Sequence, residues 1–263
     1  MDVIFHGVRG STPTSDQNFL KYGGSTTCTE ILHDKFQIIF DAGTGFQNVA
    51  ILKDRPTYLI FSHFHYDHTC GLPFFKPAYN PYTNFNIRSG REDMIKILNS
   101  QISSPSFPIT LKEFKADIKY ENFKVGDAII LENNIKIFTT SLNHPDGAVG
   151  YRIEFQDKVV SYITDHEHEV NVKNEQLIKF VRNSDLLIYD STYKDEEFEN
   201  YKGWGHSTWQ EGVRLKNYSE SKKYAIFHHN PDNKDEVMND IEKNVNLIGN
   251  NIIVAKEGMS VKI

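Results

Sequence analysis

Short runs of β-type residues recur along the chain, and each ends in a turn rich in chemically active side chains. Phe36 to Phe40 stops at Asp41-Ala42-Gly43-Thr44-Gly45, and Tyr58 to Phe61 stops at Ser62-His63. Ile135 to Thr140 stops before His144, Val159 to Ile163 before Asp165, Leu186 to Tyr189 before Asp190, and Tyr224 to Phe227 at His228-His229. Apolar runs of this length bounded by turns read as buried strands. Polar residues gathered at strand C-termini mark the usual place for a site in α/β architectures. Met1 to Gly7 predicts a first strand running into a turn.

Helical signals are found in four places. Arg91 to Gln101 carries Met94, Ile95, Ile97 and Leu98 on one side, and Val172 to Val181 carries Leu177, Ile178 and Val181. Asp232 is the expected N-cap of a helix with Val237, Ile241 and Val245 at i, i+4, i+8 spacing, and Ser207 the expected cap of another starting near Trp209. The proline-bearing loop between Ser103 and Pro108 is too short to be a linker, and no internal repeat is visible. One domain over residues 1–263 is expected.

Composition narrows the classes. With 18 Phe and 13 Tyr the chain can build a large aromatic core. A formal net charge of −6 argues against broad nucleic-acid or anionic-membrane binding. It leaves room for a small anionic substrate, because a bound metal can dominate the local field. Only Cys28 and Cys70 occur, so no disulfide framework is implied and a reducing compartment is expected. The N-terminus lacks the basic start and apolar stretch of a signal peptide, and no run is long enough to span a membrane. A soluble, cytoplasmic protein is expected.

The strongest chemical signal is His63-Phe64-His65-Tyr66-Asp67-His68. Three imidazoles and a carboxylate packed into six residues are costly unless something cationic binds them. His is the commonest metal ligand, and zinc takes mixed nitrogen and oxygen donors. A merely solvated turn fits poorly with the apolar flanks, Tyr58 to Phe61 and Gly71 to Phe75.

His-x-His-x-Asp-His followed by Gly71-Leu72-Pro73-Phe74-Phe75 resembles the metal signature of the metallo-β-lactamase superfamily, close to its ribonuclease Z and phosphodiesterase branch. Asp41-Ala42-Gly43-Thr44-Gly45 resembles the early structural turn that braces the metal loop. Asn143-His144-Pro145 followed by Gly150-Tyr151-Arg152-Ile153 resembles the third histidine motif, Tyr162-Ile163-Thr164-Asp165 the bridging aspartate, and Phe227-His228-His229 the last metal histidine. The five motifs stand in the family's order and cover nearly the whole chain.

This resemblance implies an α/β fold, the four-layer αββα sandwich of the family. It implies two divalent ions, zinc in the first place with manganese or iron as substitutes. One ion would be held by His63, His65 and His144, the second by Asp67, His68 and His229, with Asp165 bridging both. His229 is preferred to its neighbour His228 because the family's ligand lies nearer the final helix. Two metals about 3.5–4 Å apart clamp an in-line displacement and activate water, so no Ser or Cys nucleophile is required. Asp67 thus serves in both the metal set and the catalytic set.

Gly205-His206-Ser207-Thr208 resembles the His-Ser-Thr motif of the ribonuclease Z branch, and Asp190-Ser191-Thr192-Tyr193 stands where that branch carries Glu-Ala-Thr. The resemblance implies that His206 faces the leaving group, with Asp190 fixing its tautomer. A helix cap at Ser207 with an exposed His206 is the plainer reading. Gly7 to Ser11 and Tyr22 to Thr26 resemble segments of compact bacterial and phage phosphodiesterases, including the anti-Pycsar type that destroys cyclic nucleotide signals. There Arg9 or backbone N–H groups would touch a phosphate, whereas two tight turns are the bland alternative. Cys70, His6, His33, His166 and His168 are expected to be packing or surface residues.

Four functions compete: a phosphodiesterase for small cyclic nucleotides, a ribonuclease Z-like tRNA 3′-processing endonuclease, an acyl-bond hydrolase, and a metal-stabilised binding protein. The long tRNA-gripping arm that ribonuclease Z inserts between its third histidine and bridging aspartate has no counterpart in the short stretch from His144 to Asp165. The Asp190/His206 pair disfavours the acyl hydrolase, and the complete ligand set disfavours a non-catalytic binder. The expectation is a homodimeric, dinuclear-metal hydrolase opening 3′,5′-cyclic mononucleotides, in the host cytoplasm if phage-encoded. Its binding pocket would be closed by aromatics such as Tyr66, Phe74 or Phe107.

Overall fold

The apolar runs are buried on both faces, which is why they lack alternation. In β3 (Phe36–Phe40) and β4 (Thr57–Phe61) every residue is buried. Ile38, Phe40, Tyr58 and Ile60 point to one hydrophobic cluster, while Ile39, Leu59 and Phe61 point to another. A strand sandwiched this way needs a layer on each side. The computed structural model, which describes residues 1–249 and 251–263, supplies both.

Two mixed seven-stranded sheets pack face to face. The first holds β1 (Asp2–Gly7), β2 (Cys28–His33), β3, β4, β5 (Asn84–Ser89) and β6 (Asp117–Asn122) in that order. The second runs in the reverse sense from β7 (Ala128–Leu131) through β8 (Ile135–Leu142), β9 (Ala148–Phe155), β10 (Lys158–Ile163), β11 (Leu186–Asp190) and β12 (Lys223–Phe227) to β13 (Ile252–Val254). The last strand, β14 (Ser260–Lys262), pairs antiparallel with β1 and closes the edge of the first sheet. Antiparallel pairing within β1–β2–β3 gives way to parallel pairing from β3 to β6, and β7–β10 give way to parallel pairing from β10 to β13.

Between the sheets lie Phe5, Phe40, Tyr151, Tyr162 and Phe227, whose rings contact one another at centroid distances of 4.9–5.9 Å. α2 (Met94–Gln101) packs on the outer face of the first sheet through Met94 and Leu98. α3 (Glu175–Phe180), α4 (Trp209–Tyr218) and α5 (Asp235–Ile248) cover the second through Leu177, Leu215, Met238, Ile241 and Val245. The result is the expected helix–sheet–sheet–helix sandwich. Among the described residues no helix is long and apolar enough to cross a membrane.

All four helix starts differ from expectation in onset or cap, α2 beginning at Met94 rather than Arg91. α5 begins at Asp235, not at a cap on Asp232, because the Arg9 guanidinium takes the carbonyls of Asn230 and Asn233 and holds that stretch as a turn. Asp235 and Glu236 in its first turn complement the helix dipole. α4 is capped by Thr208, whose hydroxyl accepts from the Glu211 N–H, while Ser207 is drawn inward to Tyr189 and His168. α3 starts only after Asn174, whose side chain caps the Leu177 N–H.

Candidate metal centre

The strand ends β4, β8, β10, β11 and β12 deliver His63, His144, Asp165, Asp190 and His228 to one rim of the sandwich. The His65–His68 stretch reaches the same rim through α1 (Tyr66–Thr69), a single helical turn. Two donor clusters result. His63, His65 and His144 form one, and Asp67, His68, Asp165 and His228 form the other.

The hydrogen-bond network fixes which nitrogens are bare. The Ser62 hydroxyl donates to Asp41, so it accepts from His63 Nδ1 and leaves His63 Nε2 unprotonated. His144 Nδ1 donates to the Gly205 carbonyl at 2.8 Å, leaving its Nε2 bare as well. Both bare nitrogens face His65 Nδ1, at 3.0 and 3.1 Å. A tetrahedral zinc with nitrogens at about 2.0–2.1 Å holds its donors roughly 3.3 Å apart, so the spacing fits such an ion.

At the second cluster His68 Nδ1 donates to Asp41 at 2.9 Å. Its Nε2 is fully buried without a hydrogen-bond partner, yet lies 3.2 Å from both Asp67 and Asp165. An orphaned buried nitrogen aimed at two carboxylates suits a cation between them. Burial alone would lower the His68 pKa, but Asp67, Asp165 and Asp41 raise it well above the ordinary value, so positive charge is favoured at this point. Burial would raise Asp165, but the imidazoles of His228, His68 and His63 hold it well below the usual carboxylate range. One Asp165 oxygen sits 3.8 and 3.7 Å from His63 and His144, the other 3.2 and 3.4 Å from His68 and His228. Asp165 thus turns one oxygen toward each cluster.

The geometry corrects the expectation for His229. His228 adopts a left-handed backbone (φ 60°) that turns its ring inward, with Nε2 3.3 Å from Asp67 and Nδ1 against the Thr192 hydroxyl. His229 bonds the Ala255 carbonyl instead, and its backbone pairs with Val8 and Gly10. Burial, then the charge of Arg9, pushes its pKa down to about 3. Gly10 makes room for the inward ring: a Cβ there would meet His228 at 2.3 Å.

His206 and Asp190 lie beside both clusters. His206 Nδ1 is 2.9 Å from Asp190, so the shorter carboxylate does reach it. The other Asp190 oxygen accepts from the Thr192 hydroxyl and N–H, which fixes the carboxylate. Burial would lower the His206 pKa, but Asp190, then Asp165 and Asp67, lift it to about 9. Cations seated on Asp67 and Asp165 would oppose that lift.

A cavity of about 490 Å³ opens on this rim, lined by Phe64, Tyr66, Gln101 and Ser11 together with Asp67, Asp165 and His206. Phe74 and Phe107 pair edge-to-face with each other and are not part of that wall. Arg9 likewise does not line that cavity: its guanidinium is buried, with Nε and Nη1 donating to the carbonyls of Gly23, Asn230 and Asn233. The Gly7–Ser11 segment contributes instead through the Ser11 N–H, which donates to Asp67 at 2.8 Å. Cys70 belongs to neither cluster, and its thiol is 3.8 Å from the Thr26 hydroxyl. His166 accepts from the Asn143 N–H, and burial lowers its pKa to about 4.

Comparisons with known proteins bear on the family and the fold. A family model described as the beta-lactamase superfamily domain matches residues 37–229. Ribonuclease Z of Haloarcula marismortui is 21% identical over 286 residues, covering 87% of this chain and 86% of that protein. That alignment is longer than the chain's 263 residues, so the relative carries segments absent here. Among solved structures, the metallo-β-lactamase fold protein YhfI from Bacillus subtilis superposes with a TM-score of 0.76 at 16% identity, covering 99% of this chain and 98% of its own. Human tRNase Z, short form, superposes at 0.71 and 16% identity, covering 100% and 99%. At these identities the structural matches speak for the fold alone.

Proposed function

The chain belongs to the beta-lactamase superfamily as a metal-dependent hydrolase of the metallo-β-lactamase fold, and from that premise we propose that it is a dinuclear-metal phosphodiesterase acting on small cyclic nucleotides. The observation that carries this reading is the His206–Asp190 pair opening, beside both donor clusters, on a compact cavity. His63, His65 and His144 would hold one ion, and Asp67, His68 and His228 the other, with Asp165 shared. Two zinc-like ions held there would supply Lewis acidity and acidified water to a phosphodiester.

The chain's own groups do the rest. Asp41 fixes His68, and the Ser11 N–H fixes Asp67. Asp190 accepts from His206 Nδ1 and, against the lowering effect of burial, favours the doubly protonated ring, whose second proton, on Nε2, is the one available to the leaving group on the cavity side. As the phosphorus–oxygen bond of the cyclic diester breaks, the departing ribose oxygen takes the proton from His206, and the ring opens to a linear mononucleotide. Tyr66, 67% exposed on the cavity wall, offers a ring for the base. A volume of a few hundred Å³ suits one nucleotide.

β9, a tight turn and β10 use up the segment between His144 and Asp165, leaving no arm for gripping RNA. A single-domain, cytoplasmic homodimer resembling the anti-Pycsar enzymes completes the reading. A second reading, a ribonuclease Z-like tRNA 3′-endonuclease, is favoured by the curated relatives, which carry that name. Kinetics on a 3′,5′-cyclic nucleotide and a tRNA precursor, each at two ionic strengths, separate them. The first reading expects turnover of the cyclic substrate with weak salt dependence and little tRNA cleavage. Strongly salt-sensitive tRNA cleavage without turnover of any cyclic nucleotide returns the protein to the second.

A further inference from the structure

Glu167 carries no role in the reading above, yet it ties together three segments of the site. Its carboxylate accepts from the N–H groups of Gly203, at 2.9 and 2.8 Å, and Gly205, at 2.8 Å. Its backbone N–H donates to the Asn143 carbonyl at 2.8 Å, and the Asn143 side chain donates back to the Glu167 carbonyl at 2.9 Å. Glu167 stands two residues after Asp165, Asn143 stands just before His144, and Gly205 just before His206. One side chain thus links the Asp165 loop, the His144 loop and the strap from Gly203 to His206.

The strap matters because it faces the site in two ways. The Gly205 carbonyl receives the His144 Nδ1 proton at 2.8 Å, which keeps His144 Nε2 bare and aimed at the first cluster. The next residue, His206, is the proton donor of the proposed reaction. Gly205 itself has φ +85°, and a Cβ on it would come within 2.2 Å of His144 Nδ1. The strap is therefore pressed against the histidine ring in a conformation that glycine alone adopts without strain. Without the Glu167 carboxylate the exposed Gly203 N–H would turn to solvent and the part-buried Gly205 N–H would lose its protein partner.

We propose that Glu167 is a positioning residue that sets, through the Gly203–Gly205 strap, both the aim of His144 at the first metal and the placement of His206 at the leaving group. The proposal rests on the metal and proton-donor roles given above. It makes the position of the acceptor atoms decisive and the carboxylate's charge secondary. Glu167→Gln retains one side-chain oxygen at the same reach, whereas Glu167→Asp retains the charge but is one methylene too short to meet both N–H groups from the same backbone.

The test measures zinc affinity of the metal-stripped full-length protein by competition with a chromogenic chelator, and turnover of two phosphodiesters, one with a nitrophenolate and one with an alkoxide leaving group. Glu167→Ala and Glu167→Asp should weaken the tighter or weaker of the two zinc sites by about 10–100-fold, the usual effect of losing a group that orients a ligand. Both should also lose more rate on the alkoxide ester than on the nitrophenyl ester, with Glu167→Gln lying closer to wild type in each readout. If Glu167→Ala fails to fold, the Asp and Gln variants carry the comparison. Asp matching wild type while Gln is impaired overturns the proposal, as does zinc affinity within twofold of wild type in Ala or Asp. Wild-type protein without zinc binding, or with no leaving-group effect from His206→Ala, would instead overturn the functional reading beneath it.

Discussion

Asp41 gives the sharpest test of how the site is built. Its carboxylate is fully buried and takes the Ser62 N–H at 2.7 Å, the Ser62 hydroxyl at 2.8 Å, the Tyr162 hydroxyl at 2.8 Å and His68 Nδ1 at 2.9 Å. Removing it in Asp41→Ala leaves several buried donors unpaired, each costing about 1–3 kcal/mol. Ser62 and Tyr162 can recover part of that by rotating their hydroxyls, so a loss of about 3–5 kcal/mol is expected. For a chain of this size each kcal/mol lowers Tm by roughly 2–4 °C, giving a drop on the order of 6–20 °C in the metal-free protein. Asp41→Asn tests orientation separately. It keeps the volume but weakens the hold on His68 Nδ1, so zinc affinity at the second cluster should fall about 10–100-fold with a smaller change in Tm. Calorimetry of stripped protein and chelator competition read the two effects. A Tm within about 2 °C of wild type for the alanine variant, together with unchanged zinc affinity for the asparagine variant, refutes the bracing role of Asp41.

Three further outcomes are expected. His228→Ala should abolish binding of one of two zinc ions, while His229→Ala should keep both and lose stability instead; the reverse pattern in zinc titration restores His229 as the ligand. His206→Ala should retain its zinc and lose about 10²–10⁴ in rate on an alkoxide ester but far less on a nitrophenyl ester, and equal losses on both would make His206 a binding group. Burial would raise the Glu242 pKa, but hydrogen bonds from Lys256, Lys21 and Tyr22 depress it to about 2 from 4.5. Its stabilising contribution is therefore complete above pH 4.5 and lost as pH falls toward 2. Because the group is largely solvated, that contribution is at most about 1 kcal/mol. Denaturation of Glu242→Gln should show a shallower acid limb between those pH values, and an unchanged limb counts against the network.

What the sequence made legible follows from how locally each feature is encoded. β3, β4, β11 and β12 are continuous apolar runs because both faces are buried, and their ends are marked by the residues that serve the site. The His63–His68 cluster is encoded within a single turn, so its meaning needed no tertiary information. At the sheet edges β6 is largely exposed and β7 is a four-residue strand buried at alternate positions, so neither carries a pattern strong enough to stand out. Residues whose roles depend on distant partners were hidden. Asp232 looks like a cap until Arg9 takes the neighbouring carbonyls, and Arg9 looks like a phosphate ligand until that contact is seen. The choice between His228 and His229 turns on a left-handed φ and on the space left by Gly10, more than two hundred residues earlier in the chain. Glu167 acts through backbone N–H groups, which leave no trace in sequence at all.

The central claim is that two clusters sharing Asp165 hold two ions that the hydrolysis requires. Titrating zinc into stripped protein while following both bound metal and cleavage of a phosphodiester tests it directly. The account predicts activity that rises as occupancy approaches two ions per chain, with Asp165→Ala losing both metal and activity. Full activity in protein shown by elemental analysis to be free of metal would contradict it.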